Sequence, residues 1–345
     1  LTRRSRLYEN TEMSNLKDLI NKIHNKDFLE FSKEIPEECI DLIVTSPPYN
    51  IGKEYEKRQP LENYLNWSRK VLAECKRILK DTGSIFYQVG TYVGKKGAHF
   101  PWDIILFPIF VNLGFIPRNR IVWIRQHGTH AKYKFSNRHE TVLWFTKSNS
   151  YKFNLDDIRV PQIFPEKKNY RKGRDYGKFT SNPRGKNPGD VWAFRNVKHN
   201  HEEQTEHPCQ FPEDFVTRII LSTTETNDIV LDPFIGSGTT GIVARNHHRR
   251  FIGCEIVEEY VTIANHRLSG IPDRNGNFPN LKTLRQYVDE TGEDIARFTF
   301  SRQVGKKATP FKSAKIYPQS YHLKKTIERI IFEAENPHYK VDGVK

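Results

Sequence analysis

The sequence predicts an α/β fold, a doubly wound and mostly parallel sheet with helices on both faces. Two observations carry that expectation. Short apolar runs bounded by turn residues alternate with segments whose apolar residues recur at helical spacing, and a glycine-rich turn directly follows one run and opens a helix. In chain order, Ile40–Thr45 stops at Ser46-Pro47-Pro48, so it reads as a buried strand ending in a turn. Leu61, Tyr64, Leu65, Val71, Leu72, Cys75, Ile78 and Leu79 mark a helix, stopped by Asp81-Thr82-Gly83. Residues 84–89, 121–124 and 141–146 read as strands. Phe215, Ile219 and Ile220 mark a helix and Ile229–Asp232 a strand. Residues 239–248 follow as a helix, 250–256 as a strand, and 258–268 as a helix with Tyr260, Ile263, Ala264 and Leu268 inward. Beyond Gly270 the pattern fades into a lysine-rich tail.

Of the 345 residues, 37% are hydrophobic and 12% aromatic, enough apolar material for a large core, which excludes disorder over most of the length. The longest nearly apolar run, residues 104–111, is broken by Pro108 and falls far short of the ~20 residues a membrane span needs. Arg3, Arg4 and Arg6 sit among polar residues, with no apolar centre of a signal peptide. Cys39, Cys75, Cys209 and Cys254 are widely spaced, which fits a reducing compartment, the cytoplasm, and opposes a disulfide framework. His199, His201 and His207 cluster loosely without a second ligand pair, so no metal site is expected.

Lys and Arg number 55 against 41 Asp and Glu, a net charge of +14, which suggests a polyanionic partner; a generally basic soluble surface would give the same sum. The charge is uneven. Lys167, Lys168, Arg171, Lys172, Arg174, Lys178, Arg184 and Lys186 are interleaved with Tyr170, Tyr176, Phe179 and several glycines and prolines. The expectation is a long, poorly periodic basic segment lying on or beside nucleic acid.

Two constellations carry chemistry. The first is Asp232-Pro233-Phe234-Ile235-Gly236-Ser237-Gly238-Thr239, between a strand and a helix, where glycines let the backbone turn sharply and the helix end offers free N–H groups to an anion. Glu255 ends the next strand, where a carboxylate can accept from ribose hydroxyls. Gly236, Gly238 and Gly241 also satisfy G-x-G-x-x-G, the dinucleotide pattern. The Asp232 carboxylate would repel a pyrophosphate, however, whereas S-adenosyl-L-methionine, with amino and sulfonium groups, suits it. The second constellation, Thr45-Ser46-Pro47-Pro48-Tyr49-Asn50, lies at the carboxyl end of a strand, where open parallel sheets bind ligands. Its prolines stiffen the turn. The Ser46 hydroxyl and Pro47 carbonyl could accept both hydrogens of an exocyclic amine, and Tyr49 could stack on the base. A proline-rich turn or an SH3-type ligand would share the pattern.

Residues 46–49 followed by 232–239 resemble the amino-methylating DNA methyltransferases, in the class whose catalytic motif precedes the cofactor motif; the similarity runs from about residue 21 to residue 268. The resemblance implies a Rossmann-like S-adenosylmethionine-dependent methyltransferase fold. It implies that Asp27, in Asn25-Lys26-Asp27-Phe28-Leu29, holds the cofactor adenine. His207 and Gln210 lie in a His-Pro-x-Gln-x-Pro segment similar to the one that closes over the methionine end. Arg138-His139-Glu140 resembles the element preceding the recognition region. The implied organisation is a catalytic half in residues 15–150, target recognition in 151–206, a cofactor-binding half in 207–269 and a basic extension in 270–345. The implied partners are double-stranded DNA and a cognate restriction endonuclease, with the chain a monomer or homodimer.

Ser at the head of the tetrapeptide leans toward cytosine N4, with adenine N6 as the alternative. Pro208-Cys209-Gln210 is also the tripeptide of cytosine-C5 methyltransferases, which would make Cys209 a covalent nucleophile, but that route leaves residues 46–49 without a role. An inactive DNA-binding module and an RNA substrate are the remaining alternatives.

Overall fold

The computed structural model describes residues 16–269 apart from 54–55, 94–97, 126–129, 163, 165–166, 181, 183, 198–200 and 202. His199 and the extension from 270 onward thus lie outside the described residues. The described residues divide into two compact units, one formed by 16–154 with 189–269 and the other by 155–188.

In the first unit the chain runs β1 (Lys22–His24), α1 (Phe28–Phe31), β2 (Ile40–Thr45), α2 (Leu61–Ile78), β3 (Leu79–Val89), β4 (Thr91–Val93), β5 (His99–Pro101), α3 (Trp102–Asn112), β6 (Ile116–Ile124) and β7 (His139–Thr146). It continues with β8 (Val191–Ala193), α4 (Glu213–Thr223), β9 (Ile229–Asp232), α5 (Thr239–Asn246), β10 (Arg250–Cys254) and α6 (Glu258–Ser269). Eight strands form one sheet in the order β1-β10-β9-β2-β3-β7-β6-β8, and β4 pairs with β5. Pairing is parallel from β1 to β3, antiparallel at β3–β7 and β7–β6, and parallel again at β6–β8. From β9 the chain proceeds to β10 on one side, and from β2 to β3 on the other. The order therefore reverses between β9 and β2, and a crevice opens there at the carboxyl ends.

Every residue of β2 and β9 is buried, as central strands covered on both faces must be. Alternation along the strands divides the core. Ile43, Ile85, Tyr87, Leu143, Phe145 and Leu231 join Val71, Leu72, Cys75 and Ile78 of α2 and Leu106 and Phe110 of α3 in one cluster. The stacked rings of Phe110 and Phe145 are 4.4 Å apart at its centre, and truncating either to Ala would cost about 3–5 kcal/mol.

The structure overturns one sequence expectation and gives elements to two stretches that the sequence left unassigned. Asp81-Thr82-Gly83 does not separate helix from strand: β3 begins at Leu79, and residues 80–83 are accommodated in a register shift between the Ile40–Leu79 and Leu42–Ser84 pairs. The apolar run holding Pro108 forms α3, because burial of Trp102, Leu106, Ile109 and Phe110 outweighs the helix bond that proline removes. The basic segment, in the second unit, is ordered as a short antiparallel hairpin. Asn169 N–H donates to the Lys178 carbonyl at 2.8 Å, and Thr180 N–H to the Lys167 carbonyl at 2.9 Å.

Candidate active site

Parallel pairing of Leu42 with Val230 and Ile43 with Leu231 brings the ends of β2 and β9 side by side. Two turns almost two hundred residues apart in sequence therefore emerge together, joined by a 2.7 Å hydrogen bond from Thr45 Oγ1 to Asp232 Oδ1. β10 and β1 follow on the same side, with Gly253 beside Asp232 and His24 beside Cys254, which brings Glu255 and Asp27 to the same crevice.

The Ser46 turn is clamped. Pro48 carbonyl accepts from Tyr64 OH of α2 at 2.7 Å, and Tyr49 carbonyl from Trp102 Nε1 of α3 at 3.0 Å. Ser46 Oγ donates to Tyr49 OH at 3.1 Å, and Tyr49 OH donates to Gln88 Oε1 at 2.6 Å. Gln88 Nε2 in turn donates to Glu140, which pairs with Arg125 at 2.9 Å. Burial, reinforced by the negative charge of Glu140, raises the Tyr49 phenol well above its ordinary range, so it stays neutral.

The Asp232 turn is a cradle of opposite character. Asp232 accepts Thr45 Oγ1 and Phe234 N–H on one oxygen and Thr240 Oγ1 on the other. Glu255 accepts Gly236 N–H at 3.0 Å and Val257 N–H at 2.9 Å. Gly236 and Gly238 have φ of 51° and 86°, and a Cβ on Gly236 would come within 2.8 Å of His207 Nε2, so a side chain there would strain the turn and displace the His207 ring. Burial pushes Asp232 up to about 6 and Glu255 upward as well. It lowers His207, edge-on to Tyr260 at 4.4 Å, to about 4, leaving that ring neutral. Phe28 and Trp67 flank Phe234 at 6.0 and 5.6 Å, forming an aromatic wall.

One cavity of about 350 Å³ joins the two turns. It is lined by Asp27, Ser46, Pro47, Pro48, Tyr49, His207, Gln210, Asp232, Phe234, Gly236, Ser237, Thr239 and Glu255. Of the predicted catalytic and cofactor residues, Gly238 alone is absent from this lining; it is the N-cap of α5. Gln210 also braces its own loop, accepting from Thr205 and donating to the Glu203 carbonyl. Buried carboxylates beside an aromatic wall and a helix N-terminus fit S-adenosylmethionine, whose cationic end needs negative charge and whose adenine needs an apolar slot.

The sequence reading missed Arg267. This residue of α6 is 5% exposed and donates to Ser237 carbonyl at 2.7 Å, to Thr239 Oγ1 at 3.0 Å and to Glu213 at 3.0 Å, so it staples the glycine turn to α4. Gln88 and Arg125 were missed too. In sequence Gln88 resembles any core strand position, and Arg125 one more surface cation.

In the second unit Lys167, Lys168, Arg171, Lys172, Arg174 and Arg184 are exposed and Lys186 half-buried. Arg184 is committed to Asp156, and Lys186 pairs with Val160 in a β-bridge. Tyr170 and Tyr176, 72% and 61% exposed, flank the hairpin tip. Among the described residues no group of three or more His, Cys, Asp or Glu is placed to hold a metal, and no helix is long and apolar enough to cross a membrane.

Comparison with known proteins agrees with this geometry. A family model described as DNA methylase, of the N6/N4 type, matches residues 40–266. The Type II methyltransferase M.BglII of Bacillus subtilis is 58% identical over 325 residues, covering 94% of this chain and 90% of that protein. The DNA adenine methyltransferase YhdJ of Escherichia coli K12 is 37% identical over 253 residues, covering 70% of this chain and 80% of that protein. The solved PvuII DNA methyltransferase, cytosine-N4-specific, superposes with a TM-score of 0.57 at 23% identity over 70% of this chain and 84% of its own, a likeness of fold. With a site of this build, a family match over most of its length and a relative alike almost end to end, the chain belongs to the S-adenosylmethionine-dependent DNA methyltransferases that modify exocyclic amines, cytosine N4 or adenine N6.

Proposed function

We propose that this enzyme methylates the N4 amine of a cytosine extruded from double-stranded DNA, the Ser46 turn holding the amine and the Asp232 turn the donor. The single observation that carries the reading is the convergence of the two turns on one cavity. An exocyclic amine is a poor nucleophile because its lone pair is delocalised into the ring. Ser46 Oγ and the Pro47 carbonyl each accept one amine hydrogen, which lets the nitrogen pyramidalise, and the carbonyl dipole favours the developing positive charge. The rigid Pro47-Pro48 turn fixes those acceptors before substrate arrives. Tyr49 offers its ring to the extruded base, whose departure from the stack costs a few kcal/mol.

When bound, S-adenosylmethionine supplies an electrophilic methyl on a sulfonium. Asp232 would hold its cationic end, Glu255 its ribose and Asp27 its adenine. Phe234 would wall it in, residues 236–239 would meet its carboxylate at the head of α5, and His207 and Gln210 would cover the methionine end. Cys209 also lines the cavity, but amine methylation gives its thiol no covalent step.

The exposed hairpin cations Lys167, Lys168, Arg171, Lys172 and Arg174 are assigned to phosphate contacts within a recognition region of residues 151–206. Relatives named Type II methyltransferases support a cognate restriction endonuclease as functional partner.

Ser46, in place of the Asp usual for adenine, supports cytosine. Adenine N6 is the second reading, supported by the relative named as an adenine methyltransferase. Mass spectrometry of DNA methylated by the purified enzyme separates them: N4-methylcytosine is expected, and N6-methyladenine alone would overturn the assignment.

A further inference from the structure

Three buried side-chain polar atoms lack a hydrogen-bond partner among the described residues: Tyr87 OH, Arg125 Nε and Asn196 Oδ1. Tyr87 lies in the core, but Arg125 and Asn196 both line the active-site cavity. A buried polar atom without a partner costs free energy, so two in residues of the cavity wall gain by turning toward a polar guest.

Their placement says which guest. Arg125 directly follows β6, and Asn196 lies three residues beyond β8; the two strands pair in parallel, Ile124 beside Ala193. Glu140, on the neighbouring β7, holds Arg125 Nη1 at 2.9 Å. From Ser46 a polar wall then runs through the Tyr49 hydroxyl, Gln88 and Glu140 to Arg125, across the sheet and away from the Asp232 cradle.

Resting on the reading that an extruded base is methylated at its amine, we infer that the base lays its Watson–Crick edge along this wall and that Arg125 is a specificity-determining residue, its guanidinium donating to the ring nitrogen beside the amine and to the next acceptor. Cytosine offers N3 and then O2, two neighbouring acceptors for the guanidinium edge. Adenine offers N1 and then a C–H, so it satisfies one donor and leaves the other buried and unpaired. Glu140 positions the fork, and Asn196, whose amide can present either end, lines the same cavity.

The test compares duplexes containing the sequence this enzyme methylates, with cytosine or 3-deazacytosine at the target. The analogue keeps the amine and O2 but carries C–H in place of N3. Wild type is expected to slow about tenfold or more on the analogue, the discrimination of one good base contact. Arg125→Met is expected to be slower on cytosine and to discriminate less than about threefold, because the donor that read N3 is gone. Calorimetric binding of S-adenosylmethionine checks folding. If the Met variant fails to bind, Arg125→Lys, which keeps a cation for Glu140 but not the fork, carries the same expectation. Full discrimination by a folded variant would overturn the role of Arg125 while leaving cytosine methylation standing. N6-methyladenine as the wild-type product would instead overturn the base assignment, and with it the O2 contact.

Discussion

Asp232 is the residue on which the electrostatics of the cavity turn. It is 2% exposed, accepts two hydroxyls and a backbone N–H, and is still pushed up to about 6 by burial with Glu255 adding repulsion. Burial raises the carboxyl in the folded state above its unfolded value near 3.8, so its contribution to stability is full below that pH and is lost as pH rises through about 6. Asp232→Asn is therefore expected to raise the stability of the ligand-free protein at pH 8 by up to about 3 kcal/mol, with little gain at pH 4, as read by urea unfolding. The ionised form is the one a cationic donor prefers. Affinity for S-adenosylmethionine is expected to weaken about tenfold from pH 7 to pH 5 in calorimetry, and a flat profile would contradict the pairing of Asp232 with the donor's charge.

At the scale of elements, the two turns were legible in the sequence because each carries its geometry locally. Prolines fix φ at 47 and 48, and glycines at 236 and 238 adopt positive φ. The alternation of strands and helices was legible as well, since fully buried strands such as β2 and β9 leave continuous apolar runs. What could not be read were side chains whose partners the tertiary fold supplies. Arg267 looks like any cation in the last turn of an amphipathic helix, yet it meets Ser237, Thr239 and Glu213. Gln88 sits in an apolar strand, and only the tertiary fold brings it Tyr49, from the turn after β2, and Glu140 of β7. Leu79 reads as the end of α2 because the register shift that starts β3 depends on pairing with Ile40. Arg267→Met would strand Glu213 in the interior. The expected loss is about 3–5 kcal/mol in urea unfolding, and adding Glu213→Gln should recover part of it.

For the whole molecule, part of the charge of +14 gains a location in the second unit, where six cations are exposed on one short hairpin, Lys178 of them paired with Asp175. Replacing Lys167, Lys168, Arg171, Lys172 and Arg174 together by Ala is expected to flatten the salt dependence of DNA binding, by up to about 0.9 in slope for each phosphate that is no longer neutralised. S-adenosylmethionine affinity should stay unchanged, and an unaltered slope would remove the hairpin from the DNA interface. The most direct measurement of the central claim, that the Ser46 turn presents an amine to a donor held by the Asp232 turn, is single-turnover methyl transfer by Ser46→Ala and Cys209→Ala. Ser46→Ala is expected to bind S-adenosylmethionine within about threefold of wild type and to lose about a hundredfold in rate, as when an acceptor or donor poised for the transition state is removed. Cys209→Ala is expected to keep most of its rate. A fully active Ser46→Ala, or an inactive Cys209→Ala that still binds the donor, would contradict the claim.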